Sequence, residues 1–227
     1  MKQEIKKRIY FNEYNFLMGQ TTYLPLVSGL LQAYAEKTPD LRNHYDFMPF
    51  LFHVDLPEKI ISQIDNPFIA TFSVMMWNEQ LSLQVAKEIK DKFPNCIIIF
   101  GGAQPPHRPI DYFKKYPFID ITVRGQGEET FSKILTALVD KSDLREIPSM
   151  SWRDPVSGEC IVNEEELIFN NDLDRFPSPY LKGLYDDLIK SRKDLNFQAI
   201  LETNRGCPFM CTFCYWGMGG LNRKFSF

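Results

Sequence analysis

The stretch Asn204-Arg205-Gly206-Cys207-Pro208-Phe209-Met210-Cys211-Thr212-Phe213-Cys214-Tyr215 spaces three thiols as C-x3-C-x2-C. Thiolates hold cubane iron–sulfur clusters, whose four irons ask for four ligands. Cys207, Cys211 and Cys214 can hold three corners and leave one iron without a protein ligand. A metal with an open position can bind a substrate rather than only brace the fold, as catalytic zinc sites illustrate. Gly206 and Pro208 suit a loop that bends tightly around such a cluster. The competing metal is zinc, which favours four protein ligands. No His or Cys follows Cys214 in this sequence to complete that set.

The other two cysteines, Cys96 and Cys160, lie far from the cluster motif and from each other. Five is an odd count, so complete internal pairing is excluded, and clustered thiols in a reducing compartment suggest metal rather than disulfides. The net charge of −3, from 26 basic and 29 acidic residues, gives no electrostatic footprint for nucleic acid. The basic opening Met1–Arg8 has no apolar core behind it and is not a secretory signal. No apolar run approaches membrane-spanning length. The expectation is a cytoplasmic globular protein with neither nucleic-acid nor membrane partners.

The elements that must position the thiols form an alternating pattern of strands and helices, the mark of an α/β fold with a parallel sheet. Phe68–Ser73 and Cys96–Phe100 are short apolar runs suited to strands covered on both faces. Ile119–Val123 is a weaker, alternating strand, and two more are expected within Arg8–Met18 and around Tyr45–Phe52. Helical periodicity places Leu26, Val27, Leu30, Leu31 and Tyr34 on one face, then Leu81, Val85, Ile89 and Phe93, and most clearly Phe131, Ile134, Leu135, Leu138 and Val139. The predicted architecture is a doubly wound, mostly parallel five-stranded sheet over residues 1–140. Residues 141–195 read as a small hairpin around Asp154–Glu159 and a linker, and 196–227 begin a further unit with a strand at Phe197–Thr203 that runs into the cysteine loop.

C-x3-C-x2-C after a strand, with Phe213 just before the last cysteine, resembles the radical S-adenosylmethionine (SAM) superfamily. Glu202 through Pro208 and Cys214-Tyr215-Trp216-Gly217 resemble the class B-like branch that carries a cobalamin (B12)-binding domain in front. The resemblance implies a [4Fe–4S] cluster on Cys207, Cys211 and Cys214, with SAM on the fourth iron and Phe213 against its adenine. One electron from the cluster would then cleave SAM to a deoxyadenosyl radical, so an electron donor such as a flavodoxin or ferredoxin is an expected partner. Only the first unit of the family's partial barrel falls within the sequence. This portion alone is therefore expected to be inactive and to hold a cluster poorly, the full-length protein being the enzyme.

The resemblance also implies cobalamin contacts at three predicted strand ends: Ser73, Trp77 and Asn78; Gly101, Gly102 and Gln104; Gly125, Gly127 and Glu128. Paired glycines admit close approach of a bulky ligand. The alternatives are structural, with Gly101-Gly102 a tight turn, Asn78 a helix cap, and Gly127 and Glu128 a helix start. Thr22–Leu26 is similar to the family's first loop. The D-x-H-x-x-G signature of cobalamin mutases is missing, since Arg42, Leu51 and Pro105 stand two before His44, His53 and His107. Cobalt is thus expected base-off, with a weak or absent protein ligand. The implied activity is methylation of an unactivated carbon or phosphorus in a small-molecule or peptide substrate. The rivals are a radical SAM enzyme whose front domain has lost the corrinoid, and a non-catalytic corrinoid-binding module.

Overall fold

The computed structural model describes residues 5–164, 172–203, 205 and 212–213. In chain order the first elements are β1 (Lys7–Asn15), β2 (Thr21–Tyr23), α1 (Leu26–Ala35), α2 (Pro39–His44), β3 (Tyr45–Phe47), β4 (Leu51–His53) and α3 (Pro57–Ser62). There follow β5 (Pro67–Val74), α4 (Glu79–Lys92), β6 (Ile97–Gly102), α5 (Ile110–Lys115), β7 (Ile121–Val123) and α6 (Gly127–Asp140). The last are β8 (Met150–Arg153), β9 (Cys160–Val162), α7 (Asp186–Ser191) and β10 (Asn196–Gln198).

The expected doubly wound α/β sheet is present. Parallel pairing runs from β3 and β4, which share one side of β1, through β1, β5 and β6 to β7. Period-two alternation splits the strand side chains between two cores. Tyr10, Phe72, Ile98 and Phe100 face α3, α4 and α5 through Ile60, Val85, Ile89 and Phe113. Ile9, Phe11, Ile69 and Ile99 face α1, α2 and α6 through Ala35, Leu41, Phe131, Ile134 and Leu135. Burial on both faces is why these strands read as continuous apolar runs. The helices obey the same logic. In α4 the buried Ser82, Val85, Ala86 and Ile89 form one stripe, with Glu79 in the first turn and Lys90 and Lys92 in the last, as the helix dipole favours.

Three features differ from expectation. The strand expected around Tyr45–Phe52 is two short strands: Pro49, between them, has no N–H to give to a ladder. The hairpin expected as part of 141–195 extends the sheet, β8 pairing antiparallel with β7 and β9 with β8. Buried Arg124 fastens it there, its guanidinium donating to Ser151 Oγ at 2.6 Å, Asn163 O at 2.9 Å and Met150 O at 3.2 Å. Finally, the strand expected over Phe197–Thr203 is confined to β10, which pairs parallel with β2 in a separate two-stranded sheet.

That pairing returns the chain to the carboxyl end of β1. Residues 172–203 reach it by crossing α1: the Tyr185 hydroxyl donates to Pro25 O at 2.9 Å and Lys182 Nζ to Ala33 O at 3.1 Å. Among the described residues, no helix is long and apolar enough to cross a membrane.

Candidate functional site: a cavity at the carboxyl edge of the sheet

In a parallel order where β1 is flanked by β3/β4 on one side and β5 on the other, the switch point lies at the carboxyl end of β1 and β5, where such folds bind ligands. A cavity of about 300 Å³ opens on this edge. Leu26, Val27, Leu30 and Leu31 of α1 make an apolar wall, and Phe72, Ser73, Ile99 and Val123 make the floor. The opposite wall is the start of α6, with Gly127, Glu128 and Phe131. Glu202 and Arg205, from the segment that leads into the cysteine motif, complete the lining.

Of the positions singled out in the sequence, Ser73, Gly101, Gly102, Gly125, Gly127 and Glu128 line this cavity together. Gly102 has φ +96°, and a Cβ there would lie 2.5 Å from Val74 O, so only bare backbone lets β6 end so close to β5. Gly125 has φ +67° with no atom within 4 Å of the place a Cβ would take, leaving backbone exposed to open space.

Asn78, Gln104 and Trp77 are placed differently. Asn78 is buried and does not cap α4 with its side chain. Its Oδ1 accepts from Met75 N at 2.8 Å, while Nδ2 donates to Ser73 O at 3.0 Å and Tyr14 O at 3.3 Å, tying the loop after β5 to the end of β1. Gln104 donates from its backbone N to Val74 O and from Nε2 to Glu79 Oε2, both at 3.2 Å. Trp77 is 47% exposed at the carboxyl end of β5, beside exposed Met76, while Phe16, Leu17 and Met18 are exposed after the neighbouring β1. Phe213 is 91% exposed, and Cys207, Cys211 and Cys214 lie outside the described residues. Burial pushes the Cys96 thiol up to about 12, the mark of an inert core cysteine.

Two groups that sequence reasoning missed shape the walls. Glu13 is buried inside β1, and its Oε2 accepts from Ser28 N at 2.7 Å and Ser28 Oγ at 2.8 Å, with a longer bond from Val27 N to Oε1 at 3.4 Å. It thereby serves the open N–H groups of α1, whose N-cap residue Pro25 offers no side-chain acceptor. Burial pushes its carboxyl up to about 7, against the pull of those hydrogen bonds. The available signal was the one acid in Ile9–Phe16, a run otherwise of aromatic residues, Ile9 and the amides Asn12 and Asn15.

Arg205 is the second. Its Nη2 donates to Glu128 Oε1 at 2.6 Å and to Glu202 Oε2 at 2.8 Å, and Nε donates to the same Glu202 oxygen at 2.9 Å. Its guanidinium lies over the Phe176 ring, 4.7 Å from the centroid. No local spacing announces this pair, because Glu128 and Arg205 are 77 residues apart.

Against this geometry the comparisons with known proteins agree. The cobalamin-dependent radical SAM methyltransferase TokK of Streptomyces tokunonensis is 36% identical over 97% of the chain. The chain is homologous to the cobalamin-dependent radical SAM enzymes. A second member, the 2-(S-pantetheinyl)-carbapenam-3-carboxylate methyltransferase of Streptantibioticus cattleyicolor, is 35% identical over 93% of the chain. The chain covers 32% and 30% of these two relatives, about a third of their length. Among solved structures, the cobalamin-dependent radical enzyme OxsB, with aqua-cobalamin and SAM bound, superposes with a TM-score of 0.70 at 24% identity, covering 97% of this chain and 29% of that one. The radical SAM methyltransferase TsrM from Kitasatospora setae, with cobalamin and a [4Fe–4S] cluster bound, gives 0.62 at 13% identity, covering 97% and 43%. These two likenesses establish the family's fold in this chain. No family model matches it.

Proposed function

We propose that the chain is the corrinoid-binding front of a radical SAM enzyme, with residues 1–140 and the hairpin after them holding cobalamin and residues 196–227 beginning the cluster-binding core. The observation that carries this reading is the cavity itself: it sits at the switch point, is lined by bare glycine backbone, and has in its wall Arg205, two residues before Cys207. At about 300 Å³ it lies at the small end of ligand pockets and accepts one end of a corrinoid, the macrocycle remaining above it. Ser73 and the backbone at Gly101, Gly102, Gly125 and Gly127 are the contacts for the inserted end, with Glu128 as an acceptor. Asn78 and Gln104 contribute by fixing the loops, and exposed Trp77 covers an apolar part of the ring.

Cys207, Cys211 and Cys214 would hold the [4Fe–4S] cluster, and Phe213 would meet the adenine of SAM. Cobalamin supplies a transferable methyl group and the cluster with SAM supplies the radical, so the protein's task is to position both. We assign methylation of a small molecule as the activity of the whole enzyme, with a reducing protein as electron donor and the cytoplasm as its setting. The curated relatives that support it are methyltransferases over their full length.

The test is anaerobic titration of hydroxocobalamin onto the full chain, monitored by absorbance and gel filtration. Co-elution of one corrinoid per chain with a base-off spectrum is the expected result. A well-folded sample that carries none through the column overturns the corrinoid assignment.

A further inference from the structure

The polar wall of the cavity carries an unequal set of charges. Among the described residues, the charged groups of the lining are Glu128, Glu202 and Arg205, two carboxylates to one guanidinium. The guanidinium is committed to those carboxylates, Nη2 donating to both and Nε to Glu202. Each acid uses a single oxygen for this, Oε1 of Glu128 and Oε2 of Glu202, and no hydrogen bond among the described residues takes the other oxygen of either. The Glu128 side chain is only 5% exposed, in the first turn of α6, where the helix dipole favours its ionised form. The facing wall of Leu26, Val27, Leu30 and Leu31 supplies no counter-charge. A ligand that fills the cavity therefore meets spare carboxylate acceptors and one surplus negative charge.

We propose that this wall selects the corrinoid by charge: it receives a primary amide and repels a carboxylate in the same place, through the surplus acid of the Glu128–Arg205–Glu202 set. The inference rests on the corrinoid reading of the cavity. A corrinoid bears propionamides on the face that carries its nucleotide arm, each neutral and able to donate through N–H. Such an arm reaching Glu128 satisfies its spare oxygen. The same arm as a carboxylate has no donor and sets like charges side by side. The wall thus admits the fully amidated cofactor and excludes its acid counterparts. With either glutamate neutralised the surplus is gone, and the preference goes with it.

The experiment compares ligands that differ at one amide. The full chain is titrated anaerobically at pH 8 with cyanocobalamin and with its b-, d- and e-monocarboxylic acids, in each of which one propionamide is hydrolysed. The readout is the ratio of Kd for each acid to Kd for cyanocobalamin, which cancels any general loss of affinity. In the parent, at least one acid should bind about tenfold or more weakly. In Glu128→Gln that ratio should collapse, because an amide at this position donates to an acid as readily as it accepts from an amide. Glu202→Gln, acting from the more exposed side of the wall, should lower the ratio by less.

Acids that all bind the parent as tightly as cyanocobalamin overturn the charge selection and leave the cavity assignment standing. A ratio undiminished in Glu128→Gln does the same. If that variant fails to fold or to bind cyanocobalamin, Glu202→Gln decides, and an undiminished ratio there overturns the proposal. Failure of the parent to retain cyanocobalamin on gel filtration removes the corrinoid reading, and the selection with it.

Discussion

Two buried glutamates serve the same cavity, Glu128 in its lining and Glu13 from behind it through Val27 and Ser28, and they are stabilised in opposite ways. Glu13 has no cation among its hydrogen-bond partners: it is held by the backbone and hydroxyl of Ser28 and by the first turn of α1, and its carboxyl is pushed up to about 7 by burial. Glu128 is held by a cation, and that cation comes from the segment entering the cysteine motif. The first arrangement is complete as soon as β1 and α1 pack. The second is complete only when residues 196–205 are in place. One wall of the cavity is therefore intrinsic to the sheet, and the other is conditional on the segment that leads to the cysteines.

The conditional wall should break most readily. Glu128→Gln leaves the Arg205 guanidinium with Glu202 alone, a loss of about 3 kcal/mol for one partner of a buried pair. The loss is local, so limited trypsin digestion at Arg205 should accelerate by about tenfold or more, with little change in the main thermal transition. Equal cleavage of variant and parent would show that the pair does not hold the segment.

The intrinsic wall should answer to pH. The Glu13 carboxyl has a folded value of about 7 against 4.5 for the ordinary group, so between those values the unfolded chain has released a proton that the folded chain keeps. Stability from this group therefore falls as pH rises from about 4.5 to about 7, by about 3 kcal/mol in all. Glu13→Gln keeps an acceptor for Ser28 and removes the charge. It should flatten that slope and leave the protein more stable than the parent at pH 8 in urea unfolding. A variant with the parent's slope would place the titration elsewhere.

The smallest effect belongs to Ser28→Ala, which removes the 2.8 Å hydroxyl bond to Glu13 and keeps the backbone bond. It should cost about 1 kcal/mol at pH 8. It should also move the stability slope to higher pH, because that hydrogen bond lowers the Glu13 carboxyl.

What the sequence showed, and what it hid, divides along the same line. Phe68–Ser73 and Cys96–Phe100 announced β5 and β6 because strands buried on both faces have no polar side to blur them. The face of Phe131, Ile134 and Leu135 announced α6 for the corresponding helical reason. Gly102 was legible because a Cβ there would meet the Val74 backbone, and Gly125 because glycine takes a left-handed backbone without strain. Partnerships were hidden. Asn78 is drawn to three backbone groups, one of them on β1, and Arg205 to a carboxylate on the distant helix α6. Nothing in a local window encodes which distant group will neutralise a buried charge. The short β2–β10 pairing was hidden for the same reason, since three residues of strand on each side carry too little pattern to read.

The return of the chain to its beginning also sets an order of events during synthesis. Tyr185, which donates to Pro25 at the start of α1, leaves the ribosome 160 residues after it. At 5–20 residues per second that interval is on the order of ten seconds or more. The parallel strands and both of their cores can assemble in that time, while α1 waits for its clasp and β2 for its partner. Glu202 and Arg205 arrive later still. A nascent chain therefore presents an unfinished slot above a finished sheet, and the slot closes only as the cysteine segment emerges.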